Sequence, residues 1–232
     1  MEQVVIITGA SGNLGAATAR AFQHRGDKTV LVDRSSDRLA KVFPDLGKDH
    51  PLVGGIDLTS PEAMERLAGD VVNRFGRIDV LVNTVGAWRG GKSVYEADLD
   101  DWDFLFEANL RTTLVACRAV VPRMIQQRYG RMINVASRDA LKGSAGYAAY
   151  SASKSAVIRL TESIADELKT LNVTANCILP STIDTPQNRS AMPEADFSKW
   201  VEPAALADAI LFLASDAGRG VTGAALPVYG RG

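Results

Sequence analysis

Gln3-Val4-Val5-Ile6-Ile7-Thr8-Gly9-Ala10-Ser11-Gly12-Asn13-Leu14-Gly15 opens on a short β-branched apolar run, crosses three glycines, and enters a helical pattern from Ala16 to Arg25. Strand, glycine turn and helix in that order allow a tight reversal and bring backbone N–H groups to a pyrophosphate at the helix N-terminus. A nucleotide is therefore expected against Gly9, Ser11, Gly12, Asn13, Leu14 and Gly15. A chain that begins this way reads as α/β.

Working outward, Lys28-Thr29-Val30-Leu31-Val32 is a second strand ending in Asp33, eighteen residues after Gly15. A carboxylate there accepts hydrogen bonds from the adenosine ribose hydroxyls and repels a 2′-phosphate, which favours NAD over NADP. Arg34 beside it keeps NADP open, since a guanidinium holds phosphate. Leu52-Val53-Gly54-Gly55-Ile56 reads as a third strand, with Asp57 and Leu58 placed to touch an adenine ring. Ser60-Pro61-Glu62 starts a helix to about Arg74 through a capping hydroxyl, a proline in the first position and an acid in the first turn. Ile78-Asp79-Val80-Leu81-Val82 is a fourth strand, ending in Asn83-Thr84-Val85-Gly86. Four strands alternating with helices describe one doubly wound half, and Gly9, Asp33, Asp57 and Asn83 all fall at strand carboxyl ends, where such sheets bind ligands.

The 232 residues show no linker and no shift in composition, so one domain with a substantial core is expected. A formal charge of -1 with mixed acids and bases leaves no basic stripe for nucleic acid. No apolar run is long enough to cross a bilayer, and the first residues enter a strand without a charged leader, so a cytoplasmic protein is expected. Cys117 and Cys177 read as core thiols, and with only His24 and His50 besides, no metal site is expected.

The second half carries the reactive groups. Asp100 or Asp101 caps a long helix to about Gln127, with Asn109 in its interior. Asparagine competes with helical backbone bonding, so it is either a surface residue or a local distortion; taken alone it reads as surface. Gly130-Arg131-Met132-Ile133-Asn134-Val135 is a fifth strand, with Ser137 just past its end. Tyr150 and Lys154 stand one helical turn apart, on one face of a helix running to about Leu171. A phenol is a poor acid or base near neutrality, and a cation within about 4–6 Å lowers its pKa toward the working range. Tyr147, seven residues before Lys154, lacks that one-turn spacing. A sixth strand spans Val173 to Leu179, a last helix opens at Glu202-Pro203, and Ala224 to Val228 is a seventh strand.

Thr8-Gly9…Gly15, Asp33, Asp57, Asn83…Gly86, Asn109, Ser137, Tyr150-x-x-x-Lys154, Pro180…Thr185 and Thr222-Gly223 together resemble, in order and spacing, the short-chain dehydrogenase/reductases. The resemblance spans nearly the whole chain. It implies a single NAD(P)-binding Rossmann domain over residues 1–232: a doubly wound parallel sheet of about seven strands with helices on both faces. It also implies roles. Ser137 polarises a carbonyl or alcohol oxygen, Tyr150 transfers the proton, Lys154 tunes Tyr150 and holds the nicotinamide ribose, and Asn109 holds a water that continues the relay. Pro180, Ile183 and Thr185 face the nicotinamide carboxamide. The departures are Gly12 and Asn13 in the glycine turn, Thr84-Val85 where Asn-Ala is usual, Ser181 for a glycine, and Tyr229 near a usual acid.

Residues 184–202 fall where a substrate lid belongs, and Asp184 to Trp200 is similar to the corresponding segment of quinonoid dihydropteridine reductases. That likeness makes NADH-dependent dihydropterin reduction the alternative to a carbonyl/alcohol oxidoreductase, and a non-catalytic NAD-binding regulator the second alternative. Trp88, Arg138 and Arg189 are expected near a small-molecule substrate. The resemblance further implies a homodimer or homotetramer, through helices offering Ala108, Leu110, Leu114, Ala145, Ala148 and Ala149.

Overall fold

Alternation along β1 (Val4–Thr8) sorts the whole molecule into layers. Val4 and Ile6 point to one side of the sheet and Val5 and Ile7 to the other, and all four are buried. A strand covered on both faces is the signature of a parallel sheet with helices on either side. The computed structural model, which describes residues 2–47 and 49–231, has that architecture.

Among the described residues the sheet has seven strands, all paired in parallel, in the order β3-β2-β1-β4-β5-β6-β7. They are β1, β2 (Lys28–Val32), β3 (Leu52–Val53), β4 (Val80–Asn83), β5 (Gly130–Val135), β6 (Val173–Pro180) and β7 (Ala225–Val228). On one face α1 (Asn13–His24) and α8 (Pro203–Ala214) bury Leu14, Phe22, Leu206 and Ile210 against Val5, Ile7, Leu31 and Val82. On the other, α3 (Pro61–Phe75), α5 (Thr112–Gln127) and α6 (Ala148–Leu168) bury Met64, Val120 and Ile164 against Val4, Ile6, Leu81 and Met132. The strand order reverses at β1, so the crevice between the ends of β1 and β4 lies at the topological switch point.

Several elements differ from the sequence reading for local reasons. β3 stops at Val53 instead of Ile56, because Gly54 packs directly on Ser36 and Gly55 takes a left-handed φ of 76°. A helix absent from that reading, α2 (Ser36–Val42), starts where the Ser35 hydroxyl accepts from the Arg38 N–H at 3.2 Å. The long helix to Gln127 is in fact α4 (Leu99–Phe106), a π-turn at Glu107–Arg111, and α5; its cap is Asp98 and neither Asp100 nor Asp101. α6 begins two residues before Tyr150 and ends at Leu168.

A buried polar chain fastens α6 to the sheet. Thr8 Oγ1 donates to Asn83 Oδ1 (3.2 Å), Asn83 Nδ2 to Asn134 Oδ1 (2.9 Å), Asn134 Nδ2 to Thr161 Oγ1 (2.9 Å), and Thr161 Oγ1 to the Val157 carbonyl (2.7 Å). Every link lies in the core, so removing one leaves neighbours unpaired where water cannot replace it. Asn134→Ala is expected to lower unfolding free energy by about 2–3 kcal/mol, as a shifted midpoint in urea with an unchanged slope. A loss below about 0.5 kcal/mol would mean that the chain does not hold α6.

Candidate active site

The helical period sets Tyr150 and Lys154 on the same face of α6, toward the carboxyl ends of β4, β5 and β6. Lys154 is almost fully buried, and its Nζ donates to the Val135 carbonyl at 2.9 Å. Burial drives its pKa down to about 8, against an upward pull from Cys177. The ammonium reaches this position because Gly86 lacks a side chain: a Cβ there would stand 2.9 Å from Lys154 Nζ and 3.1 Å from Asn109 Oδ1.

Asn109 overturns its surface reading, since none of it is exposed. The extra residue of the π-turn rotates it inward, the local irregularity with which helices commonly serve a site. Its Oδ1 accepts from the Ala87 N–H (2.8 Å), and its Nδ2 donates to the Ala87 carbonyl (3.1 Å) and to Ser153 Oγ (2.9 Å). Ser153 Oγ donates onward to the Tyr150 carbonyl at 2.8 Å. The residues after β4 are thereby joined to the first turn of α6 through side chains. Ser153, fully buried, was missed in the sequence, where a mid-helix serine carries no signal of its own.

Tyr150 does not behave as the spacing suggests. Burial raises the phenol's pKa; the Ser137 hydroxyl bonds to it and opposes the rise, while Asp139 and then Tyr147 add to it. Lys154 is not among the causes of this shift; its ammonium donates to the Val135 carbonyl. Ser137 is held by its own turn: its Oγ accepts from the Asp139 N–H at 3.1 Å.

These groups share a cleft of about 590 Å³. It is lined by Thr84, Gly86, Val135, Ser137, Tyr150 and Lys154, by Pro180 and Ile183, and by Trp88 with Tyr147, in edge-to-face contact at 5.8 Å. Leu14 reaches it from the first turn of α1, and Asn188, Ala191 and Met192 line it from the segment after β6. Asn109 and Thr185 do not line it; the Thr185 hydroxyl caps α7 (Pro186–Ala191) by accepting from the Asn188 N–H at 3.1 Å.

The glycine turn continues from the cleft. Gly9 has φ 68°, and Gly15 lies so close to the Gly9 carbonyl that no side chain fits there. Gly12 is the N-cap of α1, whose first turn holds Asn13; the Asn13 amide reaches across to Gln187 of α7 at 2.9 Å. Asp33 accepts from the Ser11 hydroxyl (2.6 Å) and N–H (3.1 Å), joining the end of β2 to the turn. Backbone without side chains beside a fixed carboxylate fits a dinucleotide's pyrophosphate and ribose. Arg34 is exposed beside it, and Asp57, also exposed, accepts from the Thr59 hydroxyl and N–H, which hold its carboxyl below the usual range.

Three expected contacts are engaged elsewhere. The Asn83 side chain belongs to the core chain, so only its backbone serves the strand end. Leu58 is packed in the core. Arg189 is paired bidentately with Asp184 (2.6 and 2.7 Å) and lies over the Phe197 ring, so it does not line the cleft. Cys117 and Cys177 are buried thiols, each pushed up to about 12 by burial, and no metal-binding cluster occurs among the described residues.

Comparison with known proteins gives the same outline. A short chain dehydrogenase family model matches residues 3–196. An uncharacterised oxidoreductase of Staphylococcus haemolyticus is 34% identical over 90% of this chain and 90% of its own length. A 3-oxoacyl-[acyl-carrier-protein] reductase of Thermotoga maritima is 33% identical over 98% of this chain and 96% of its own. In structure, ElxO with NADP bound superposes with a TM-score of 0.91 over 99% of this chain and 98% of its own, at 24% identity, a likeness of fold.

The close approach at Gly86 is testable by a double-mutant cycle. Gly86→Ala should cost about 1–3 kcal/mol of stability by overpacking, and less in a Lys154→Ala background, where the clashing ammonium is gone and the approach to Asn109 Oδ1 remains. Equal costs in the two backgrounds would show that Gly86 does not make room for Lys154.

Proposed function

Because the chain belongs to the short-chain dehydrogenase family, we propose that it moves a hydride between a nicotinamide dinucleotide and a carbonyl/alcohol carbon, with Tyr150 as general acid/base. The observation that carries the proposal is the meeting of Ser137, Tyr150 and Lys154 in one cleft that continues into the glycine turn. Bound there, the nicotinamide supplies or takes the hydride.

The chain's own residues do the rest. The Ser137 hydroxyl bonds the substrate oxygen and orients it beside the phenol. In reduction, Tyr150 gives its proton to that oxygen as negative charge develops; in oxidation it takes the proton back. The phenol is protonated near neutral pH, as proton donation in reduction requires. Lys154, held by the Val135 carbonyl, offers its remaining N–H groups to the dinucleotide's nicotinamide ribose. Asn109 fixes the segment after β4 against α6, holding Gly86 and Tyr150 in register. Gly9, Ser11, Gly12, Asn13, Leu14 and Gly15 hold the pyrophosphate with backbone and small side chains. Asp33, fixed by Ser11, favours ribose hydroxyls and hence NAD over NADP. Pro180 and Ile183, which line the cleft, take the carboxamide end, with Thr185 supporting them by capping α7.

The test is a panel of alcohols, ketones and quinonoid dihydropterin, followed by NADH and NADPH absorbance. Turnover of carbonyl compounds with a preference for NADH is expected; Tyr150→Phe should lose about 10²–10⁴-fold in kcat while still binding NADH. Full activity in Tyr150→Phe would move the proton transfer elsewhere. Reduction of dihydropterin alone would replace the carbonyl assignment, and NADH binding without any turnover would make the protein a sensor. In a second arm, Asp33→Ala should narrow or reverse the NADH preference. An unchanged ratio would remove Asp33 from cofactor choice.

A further inference from the structure

The charged side chains lining the cleft are Lys154, Arg138 and Asp139, and they have different engagements. Lys154 is buried and bound to the Val135 carbonyl. Asp139 is turned toward the reacting groups: its N–H donates to Ser137 Oγ, and its carboxylate lies 3.5 Å from that same oxygen. Arg138 points the other way. Its guanidinium stands over the Tyr229 ring, 5.7 Å from the centroid, and among the described residues no carboxylate lies within ion-pair distance of it.

Tyr229 is itself anchored. Its carbonyl accepts from Ser181 Oγ at 2.6 Å, and Ser181 lines the cleft beside Pro180. The C-terminal tail thus lays an aromatic face under Arg138. A guanidinium resting on a ring keeps its N–H edges free, and five donors in a planar fork match a carboxylate. The alternative cation, Arg189, is neutralised by Asp184 within the lid. Successive residues of one turn therefore sort the charge of the cleft, negative beside Ser137 and positive beside Tyr229. An anionic group is repelled from the first position and held at the second.

Building on the oxidoreductase reading, we propose that the substrate is a carbonyl or hydroxy compound carrying a carboxylate, and that Arg138, seated on Tyr229, is the residue that selects it. The carboxylate lies toward the C-terminal tail while the reacting oxygen faces Ser137 and Tyr150. The intervening body meets Trp88, Tyr147, Ala191 and Met192, so it is apolar.

The experiment compares oxo acids of graded chain length with their methyl esters, using NADH, in the wild type, Arg138→Met and Arg138→Lys. The wild type should favour the best acid over its ester at least tenfold in kcat/KM, mainly through KM. Arg138→Met should abolish or reverse that preference while leaving the ester's kcat within about twofold, and Arg138→Lys should restore part of it. Tyr229→Leu, which removes the ring but not the charge, should weaken acid binding less than Arg138→Met. Equal use of acids and esters by the wild type, or equal losses on both in Arg138→Met, would overturn the proposal while leaving the oxidoreductase reading intact. Failure to turn over acid, ester or any neutral carbonyl would instead overturn the reading on which it rests.

Discussion

One buried ammonium organises the carboxyl end of this sheet. Lys154 has left water for a position where its ammonium donates to the Val135 carbonyl at 2.9 Å, and the depression of its pKa to about 8 expresses the cost. The surroundings are arranged to permit it: Gly86 has no side chain to block it, and Asn109 fixes the backbone beside Gly86. The sign of the linkage follows. With the folded pKa below the unfolded value of 10.5, the cost is fully present below about pH 8 and is relieved as pH rises toward 10.5, so this group makes stability increase across that window. A fold tolerates such a group where something besides stability requires it.

Two hydrogen-bonded systems hold that arrangement, and both end on α6. The chain from Thr8 through Asn83, Asn134 and Thr161 runs across β1, β4 and β5 beneath the cleft. The other, from Ala87 through Asn109 and Ser153, ends on the Tyr150 carbonyl. Together they set the height and rotation of the helix carrying Tyr150 and Lys154. Rigid elements positioning a few polar groups over a loop-walled cleft is the usual division of labour in open α/β sheets.

Much of this was legible in the residues. Continuous β-branched runs marked the parallel strands, and the glycines after Thr8 marked the turn, because both signals are local. Ser137, Tyr150 and Lys154 were legible through the end of one strand and the period of one helix. What escaped depended on contacts remote in sequence. Asn109 taken alone reads as a surface residue and is placed at the site only by the family resemblance, because the π-turn that rotates it inward has no local signal; Ser153 matters only through that asparagine. Asn83 was placed at the right strand end, but its side chain turns into the core. Arg138 and Arg189 look alike as exposed cations; a carboxylate five residues before Arg189 and a ring far along the chain from Arg138 distinguish them. The burial that raises the Tyr150 pKa also escaped, because helical spacing shows which face the phenol shares but not how deeply the sheet and its loops cover it.

The most direct measurement is the titration of Lys154 itself, by the ¹³C shift of its ε-carbon in the protein without dinucleotide, assigned by comparison with Lys154→Arg. A midpoint near 8, well separated from the other lysines, is the result this account predicts. A midpoint near 10.5 would mean that the ammonium is solvated, and would contradict the buried arrangement from which the site is built.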